Sequence, residues 1–234
     1  MKTVFSLYAI VLLLASTGVA QNGFESDKPD RIWITPLPSP TGTWVDPTDG
    51  TMENGLSFIS EPWPSYQGGA INYINLYDPA YGLDPTKEYR IINVQYCIKD
   101  KKPAATGYVI RVIIQGWDGS APTETNLYEQ ILDSSSWTSP DVYTWTESAP
   151  ITNPSVILPA EFAIGWHTVW PFLTRFWLGL DTDADAVNWY YYQGDWVPLG
   201  SSGYGGAFGC RFEVEELTSS LENTTFGAIK AAFN

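Results

Sequence analysis

The sequence predicts an all-β protein, an antiparallel β-sandwich or jelly roll, preceded by a cleaved signal peptide and followed by one short C-terminal helix. Three observations predict it. Apolar residues recur with period two, the short runs they form are rich in Val, Ile, Tyr, Phe and Trp, and turn-forming Gly, Pro, Asn, Asp and Ser separate the runs. The chain carries 17 prolines and 20 glycines as punctuation. No window ahead of the tail shows a helical stripe, so a parallel βαβ architecture is not expected, and no internal repeat of fixed period stands out.

Taken in order, the chain opens MKTVFSLYAIVLLLASTGVAQNG, with basic Lys2, an apolar run from Val4 to Ala15 and small residues before Gln21. That is the pattern of a secretory leader, with cleavage expected after Ala20. The run is shorter than the roughly 18 residues of a membrane span. The expectation is a secreted protein, extracellular or at the cell surface, with no membrane span once residues 1–20 are removed. Residues 21–50 form a Pro-rich lead, residues 51–217 the sandwich domain, and residues 218–234 a linker and short helix.

Within the domain the expected strands are GLSFIS, AINYINLY, EYRIINVQYCI, TGYVIRVIIQ, NLYEQILD, DVYTWTES, PSVILPAEFAIGWH, RFWLGLD, NWYYYQ and AFGCRFEVEEL. Each is short and bounded by turn residues, the rhythm of an antiparallel sandwich. The tail differs: Phe226, Ile229 and Phe233 fall at helical spacing, and Thr224 or Thr225 can cap the first turn. A helix of that length is marginal alone in water, so it must dock on something.

Charge narrows the partners. The formal net charge is −14, and loss of Lys2 with the leader takes it to −15. Nucleic acid and anionic lipid need clustered Lys and Arg. The one basic patch is Lys99, Lys101 and Lys102, beside Pro103 in an expected hairpin turn. No nucleic-acid partner is expected.

Cys97 and Cys210 both fall in expected strands of an exported chain, where a disulfide can persist. Alternation puts Cys97 on the face of Asn93 and Gln95, opposite Ile92, Val94, Tyr96 and Ile98, whereas Cys210 shares a face with Phe212 and Val214. A bridge and two free thiols both stay open, since a bridge requires facing Cβ atoms and Cα atoms within about 7 Å.

The stretch LGLDTDADAVNWYYYQGDW concentrates the candidate sites. Asp181, Asp183 and Asp185 alternate like the first half of an EF-hand loop. The sixth loop position is Ala186 in place of the required Gly, and the twelfth is Tyr192 in place of the bidentate Glu. No cofactor is therefore expected, with a calcium site of another geometry, completed by Asp195 or backbone carbonyls, left open; the aspartates read first as the polar end of a strand. Trp189, Tyr191 and Trp196 are the candidate ligand-binding rings, because exposed aromatics stack on the apolar faces of sugars. Alternation must split Trp189 and Tyr191 from Tyr190 and Tyr192, so at most half of this run can face solvent. The others fill the core.

Catalytic signatures are sparse. His167, the sole histidine, reads as a loop-edge residue, with neither a nucleophile elbow nor a second His at ligand spacing. A glycosidase needs two facing carboxyls, for which Glu161 and Asp181 are the conceivable pair. The leading expectation is a non-catalytic module that binds a glycan or cell-surface protein or serves structurally; the other is a jelly-roll hydrolase using that pair. Self-association through exposed edge strands is a further expectation.

The succession EFAIGWH, RFWLGLDTDAD, NWYYYQGDWVPLG and GGAFGCRFEVEEL resembles the C-terminal half of a β-sandwich, jelly-roll-like accessory module in large bacterial extracellular proteins. The ending TTFGAIKAAFN is similar to the short TTWGxIKxxF ends of such proteins, with Phe226 where Trp is usual. The resemblance covers Pro159 to Leu217 and the tail. It implies an accessory, adhesive or structural role at a surface without an assigned active site.

Overall fold

A computed structural model describes residues 24–27, 32–33, 42–48, 51–52, 54–58, 68–100, 110–132, 137, 141–152, 156–168, 176–182, 184, 187–192, 195–202 and 205–217. The expected leader, the Lys101–Lys102 turn, Asp183, Asp185 and the C-terminal helix lie outside them. The strands are β1 (Phe24–Asp27), β2 (Ile32–Trp33), β3 (Thr43–Val45), β4 (Thr51–Met52), β5 (Asn54–Phe58) and β6 (Gly69–Asn75). After a 3-10 turn come β7 (Glu88–Asp100), β8 (Ile110–Trp117), β9 (Pro122–Ile131), β10 (Thr144–Trp145), β11 (Ala149–Pro150) and β12 (Glu161–Thr168). The chain continues through β13 (Phe176–Asp181), β14 (Asn188–Tyr192), β15 (Asp195–Pro198), β16 (Ala207–Phe208) and β17 (Cys210–Leu217).

Two antiparallel sheets pack face to face. The six-stranded sheet runs β15-β14-β6-β12-β8-β9, and the nine-stranded sheet follows β1-β5-β13-β7-β17-β3, with β10 and β11 paired to β7 and β16 to β13. Strand parity decides what lies between them. On β12 the residues Phe162, Ile164 and Trp166 point inward, and on β17 Cys210, Phe212 and Val214 do so. Ring pairs cross the interface: Phe162 meets Phe212 at 5.8 Å and Trp166 meets Phe176 at 5.2 Å between centroids. The Tyr96 hydroxyl crosses too, donating to the Gly165 carbonyl at 2.9 Å. Buried Asn72 donates to the Phe208 carbonyl at 2.9 Å and accepts from the Phe208 amide at 2.8 Å, joining β6 to β16 without leaving its own amide unpaired.

The alternation on β7 carries a shift that periodicity missed. Tyr89 and Ile91 face the core, and so do Val94, Tyr96 and Ile98; Ile92, expected inward, does not. Opposite β17, Val214 pairs with Ile91 and Glu213 with Asn93, so Ile92 is the extra residue of a β-bulge. Other boundaries move as well. β9 starts at Pro122, and only Thr144–Trp145 of the expected DVYTWTES run pairs as strand. The Pro-rich lead is partly sandwich: β1 pairs with β5, and β3 pairs with β17 and buries Val45 completely.

An arginine clasp closes the outer side of the nine-stranded sheet. Arg211, alternating with inward Cys210 and Phe212, is fully buried. Its guanidinium lies 4.2 Å from the Trp145 ring centroid and 5.0 Å from that of Trp44. It donates twice to Gln95 Oε1, at 2.9 and 2.7 Å, with Asp46 at 3.9 Å. Two cation–π faces and charge-assisted hydrogen bonds compensate the desolvation of the charge, and they pin β3 and β10 to the sheet.

Cys97 and Cys210 sit on neighbouring strands but on opposite faces, Cys97 with Met52, Tyr143 and Trp145 outside the sheet and Cys210 in the main core. Both are free and buried, so no disulfide joins them. Burial pushes both thiols well above their ordinary pKa. In the native protein neither is expected to react with iodoacetamide, and two labels should appear after unfolding without reductant; a reductant requirement would contradict the assignment.

Candidate functional site

The outer face of the six-stranded sheet carries the candidate site. On β14 parity sends Asn188 and Tyr190 inward, where both are buried, and turns Trp189 and Tyr191 outward. The β14–β15 hairpin sets Tyr191 opposite Trp196, with ring centroids 5.1 Å apart at 69°. All three sequence-selected rings, Trp189, Tyr191 and Trp196, therefore share one half-buried face.

His167 belongs to this face as well, one residue short of the end of β12. It lies within β12, paired with Gly69 of β6 on one side and Arg111 of β8 on the other. Its ring stands edge-on to Tyr191 at 4.9 Å and lies 6.4 Å from Trp196. These strands are not adjacent; Gly69 lies between them, paired with both Tyr191 and His167. A Cβ there would come within 3.0 Å of His167 Cδ2 and 3.3 Å of Trp196 Cη2. The Trp166 carbonyl oxygen would be nearer still, at 2.9 Å, so backbone and rings together favour glycine here. A second cluster lies further along the face, where Tyr73 and Trp117 are 4.5 Å apart and Trp117 meets Trp189 at 6.0 Å and 78°. Ile71, Ile113 and Ala163 form the apolar floor between the clusters.

A concave site of about 650 Å³ opens on this floor, lined from Trp196, Asp195 and Tyr191 across His167 to Arg111, Gln115, Pro122 and Asn126. Its polar groups are held by one another. Gln115 donates its amide to Asn126 at 2.8 Å, Asn126 donates to Glu129 at 3.0 Å, and Arg111 donates to the same Glu129 oxygen at 3.0 Å. With its donor so engaged, Gln115 keeps a buried Oε1 without a hydrogen-bond partner, and His167 Nε2 and Trp189 Nε1 are likewise unpartnered. Buried polar atoms are normally satisfied, so three on one face define positions for ligand or water partners.

Burial, reinforced by the Arg111 charge and opposed by Glu129, holds His167 down to about 4. The imidazole is neutral at ordinary pH and can donate or accept, but carries no charge to the groove. Because the unfolded histidine titrates near 6.5, the unfolded state binds more protons between about pH 4 and 6.5. The stabilisation is thus complete above that window and is lost as pH falls through it. Discounted for residual solvent access, the loss should be about 1–2 kcal/mol. Urea titrations of wild type and His167→Gln across this range should converge as pH falls; parallel curves would refute the buried neutral histidine.

The other sequence-selected residues fall elsewhere. Glu161 faces outward on the six-stranded sheet and accepts a hydrogen bond from the Tyr73 hydroxyl. Asp181 is fully buried, alternates with inward Leu178 and Leu180 on the other sheet, and accepts from the Ala184 amide at 3.2 Å. The two carboxyls thus point to opposite sides of the sandwich and are not brought together as a glycosidase pair. Asp181 serves its own turn; Asp183 and Asp185 lie outside the described residues. Among the described residues no three His, Cys, Asp or Glu side chains gather as a metal cage. Arg111, Gln115, Trp117, Tyr73, Asn126 and Gly69 were not singled out from sequence. For three of them the signal was present, since Arg111, Ile113, Gln115 and Trp117 alternate against Val112 and Ile114 in RVIIQGW.

Fold and face define an antiparallel β-sandwich with an aromatic, polar-rimmed groove on the outside of one sheet. No family model and no curated protein matches the chain. A solved structure of the cysteine protease and lectin-like domains of Cwp84, a surface layer associated protein of Clostridium difficile, aligns at 13% identity and a TM-score of 0.44. The alignment covers 69% of this chain and 33% of that one, so this chain spans about a third of that protein.

Proposed function

We propose that the domain is a non-catalytic glycan-binding module of an exported, surface-associated protein, and that it holds its ligand on the outer face of the six-stranded sheet. One observation carries the reading: Trp189, Tyr191 and Trp196 are assembled on an open face beside buried, unpartnered polar atoms of Gln115 and His167. Stacking rings next to hydrogen-bonding groups is the chemistry a sugar requires, since a pyranose has apolar faces and a hydroxylated rim. The leader-like N-terminus and the resemblance to accessory modules support the export and surface role. The opposed placement of Glu161 and Asp181 removes the motive for a hydrolase built on them.

A glycan array and sedimentation with insoluble polysaccharides test the reading. Wild type should be retained on at least one glycan, and Tyr191→Ala/Trp196→Ala should not be. Failure of wild type to bind any glycan, or unchanged retention of the folded double variant, would overturn it.

A further inference from the structure

The geometry points to an uncharged polysaccharide bound along its length, an internal segment lying across the strands rather than a chain end in a socket. This deepens the glycan-binding reading and rests on it.

The course of the groove is the first argument. Its lining begins on edge strand β15 with Asp195 and Trp196, and continues through Tyr191 of β14, His167 of β12 and Gln115 of β8 to Asn126 of the opposite edge strand β9. Its lining therefore comes from five strands and passes over β6 between β14 and β12, a lateral span of roughly 24 Å at about 4.8 Å between neighbours. Both ends are exposed residues, Asp195 and Asn126. A trough that runs from one sheet edge to the other admits a chain that enters on one side and leaves on the other.

Charge is the second argument. Arg111 is the groove's cation, and Glu129 already neutralises it at 3.0 Å. Asp195 adds a negative charge, and the chain as a whole stands at −14. A uronate or sulfated polymer would meet repulsion without a free cation to answer it. The unmet hydrogen-bonding capacity is neutral in kind. Gln115, 6% exposed, holds an unpartnered Oε1 able to accept from a hydroxyl, and His167 an unpartnered Nε2, both buried just beneath the groove surface.

The test uses the full mature chain in affinity electrophoresis and calorimetry with two polymer classes: soluble neutral β-glucan, xylan and mannan, and polygalacturonate and alginate. A neutral oligosaccharide ladder from disaccharide to hexasaccharide, with native and reduced ends, completes it. A neutral polymer should bind at least about tenfold more tightly than either polyanion at low salt. Affinity should climb with oligomer length and be indifferent to end reduction, and folded Gln115→Ala should weaken binding by about three- to tenfold. Preference for a polyanion, a disaccharide as tight as a hexasaccharide, or loss on end reduction would overturn this inference and leave the glycan-binding role standing. Binding to none of the polymers would overturn this inference as well, while the glycan array decides separately whether the glycan-binding role stands.

Discussion

Trp166→Ala is expected to lower the unfolding free energy by about 4 kcal/mol, within the range for truncating a buried Phe or Trp. Trp166 is 1% exposed and stands on β12 against Phe176 of the facing sheet. Hydrogen-bonded strands on either side of it, β6 and β8, hold the backbone in place, so the sheets cannot close on the vacated volume. The cavity cost therefore adds to the lost transfer energy. Domains have only about 5–15 kcal/mol in total, so this one side chain accounts for a large share. A urea titration should show a fall in midpoint at unchanged slope. A loss below about 1 kcal/mol would mean that β12 does not present this face to the core.

Trp196→Ala should do the reverse, weakening binding about thirtyfold or more while leaving the fold intact. The estimate corresponds to about 2 kcal/mol, the threshold of an aromatic hot spot at a binding surface. Trp196 is half-buried on edge strand β15, and its ring is held by Tyr191 at 5.1 Å and by His167 at 6.4 Å, so it is presented without having to be ordered on binding. Calorimetry on the polysaccharide that retains wild type, paired with thermal unfolding, separates the two effects. Affinity within twofold of wild type in a folded Trp196→Ala protein would move the site off this face.

These two tryptophans show what could be read early. Both belong to aromatic-rich strands, and parity separates Trp189 and Tyr191 from Tyr190 without any coordinates. Parity says nothing of Trp196, which joins that face only because β15 pairs with β14 and sets it opposite Tyr191. Parity also placed Cys97 opposite Cys210, correctly, even though the bulge at Ile92 reverses the alternation further up the same strand. His167 was read at the end of its strand, and β12 runs one residue further, to Thr168; its contact with Tyr191 and Trp196 was not legible, because it is made across β6. The lead was misjudged because its prolines masked a three-residue strand that pairs with β17.

What the sequence determined by itself is the local, two-sided character of each ribbon: which side chains stand together, and that the ribbons must stack to bury one side. Which side stays open, and which ribbons become neighbours, was decided only in the tertiary structure. Gly69, His167 and Tyr191 lie far apart in the chain and meet because β6 pairs with both β12 and β14. Strand order arises from competition among all possible pairings across the whole core, and no run of neighbouring residues encodes that competition.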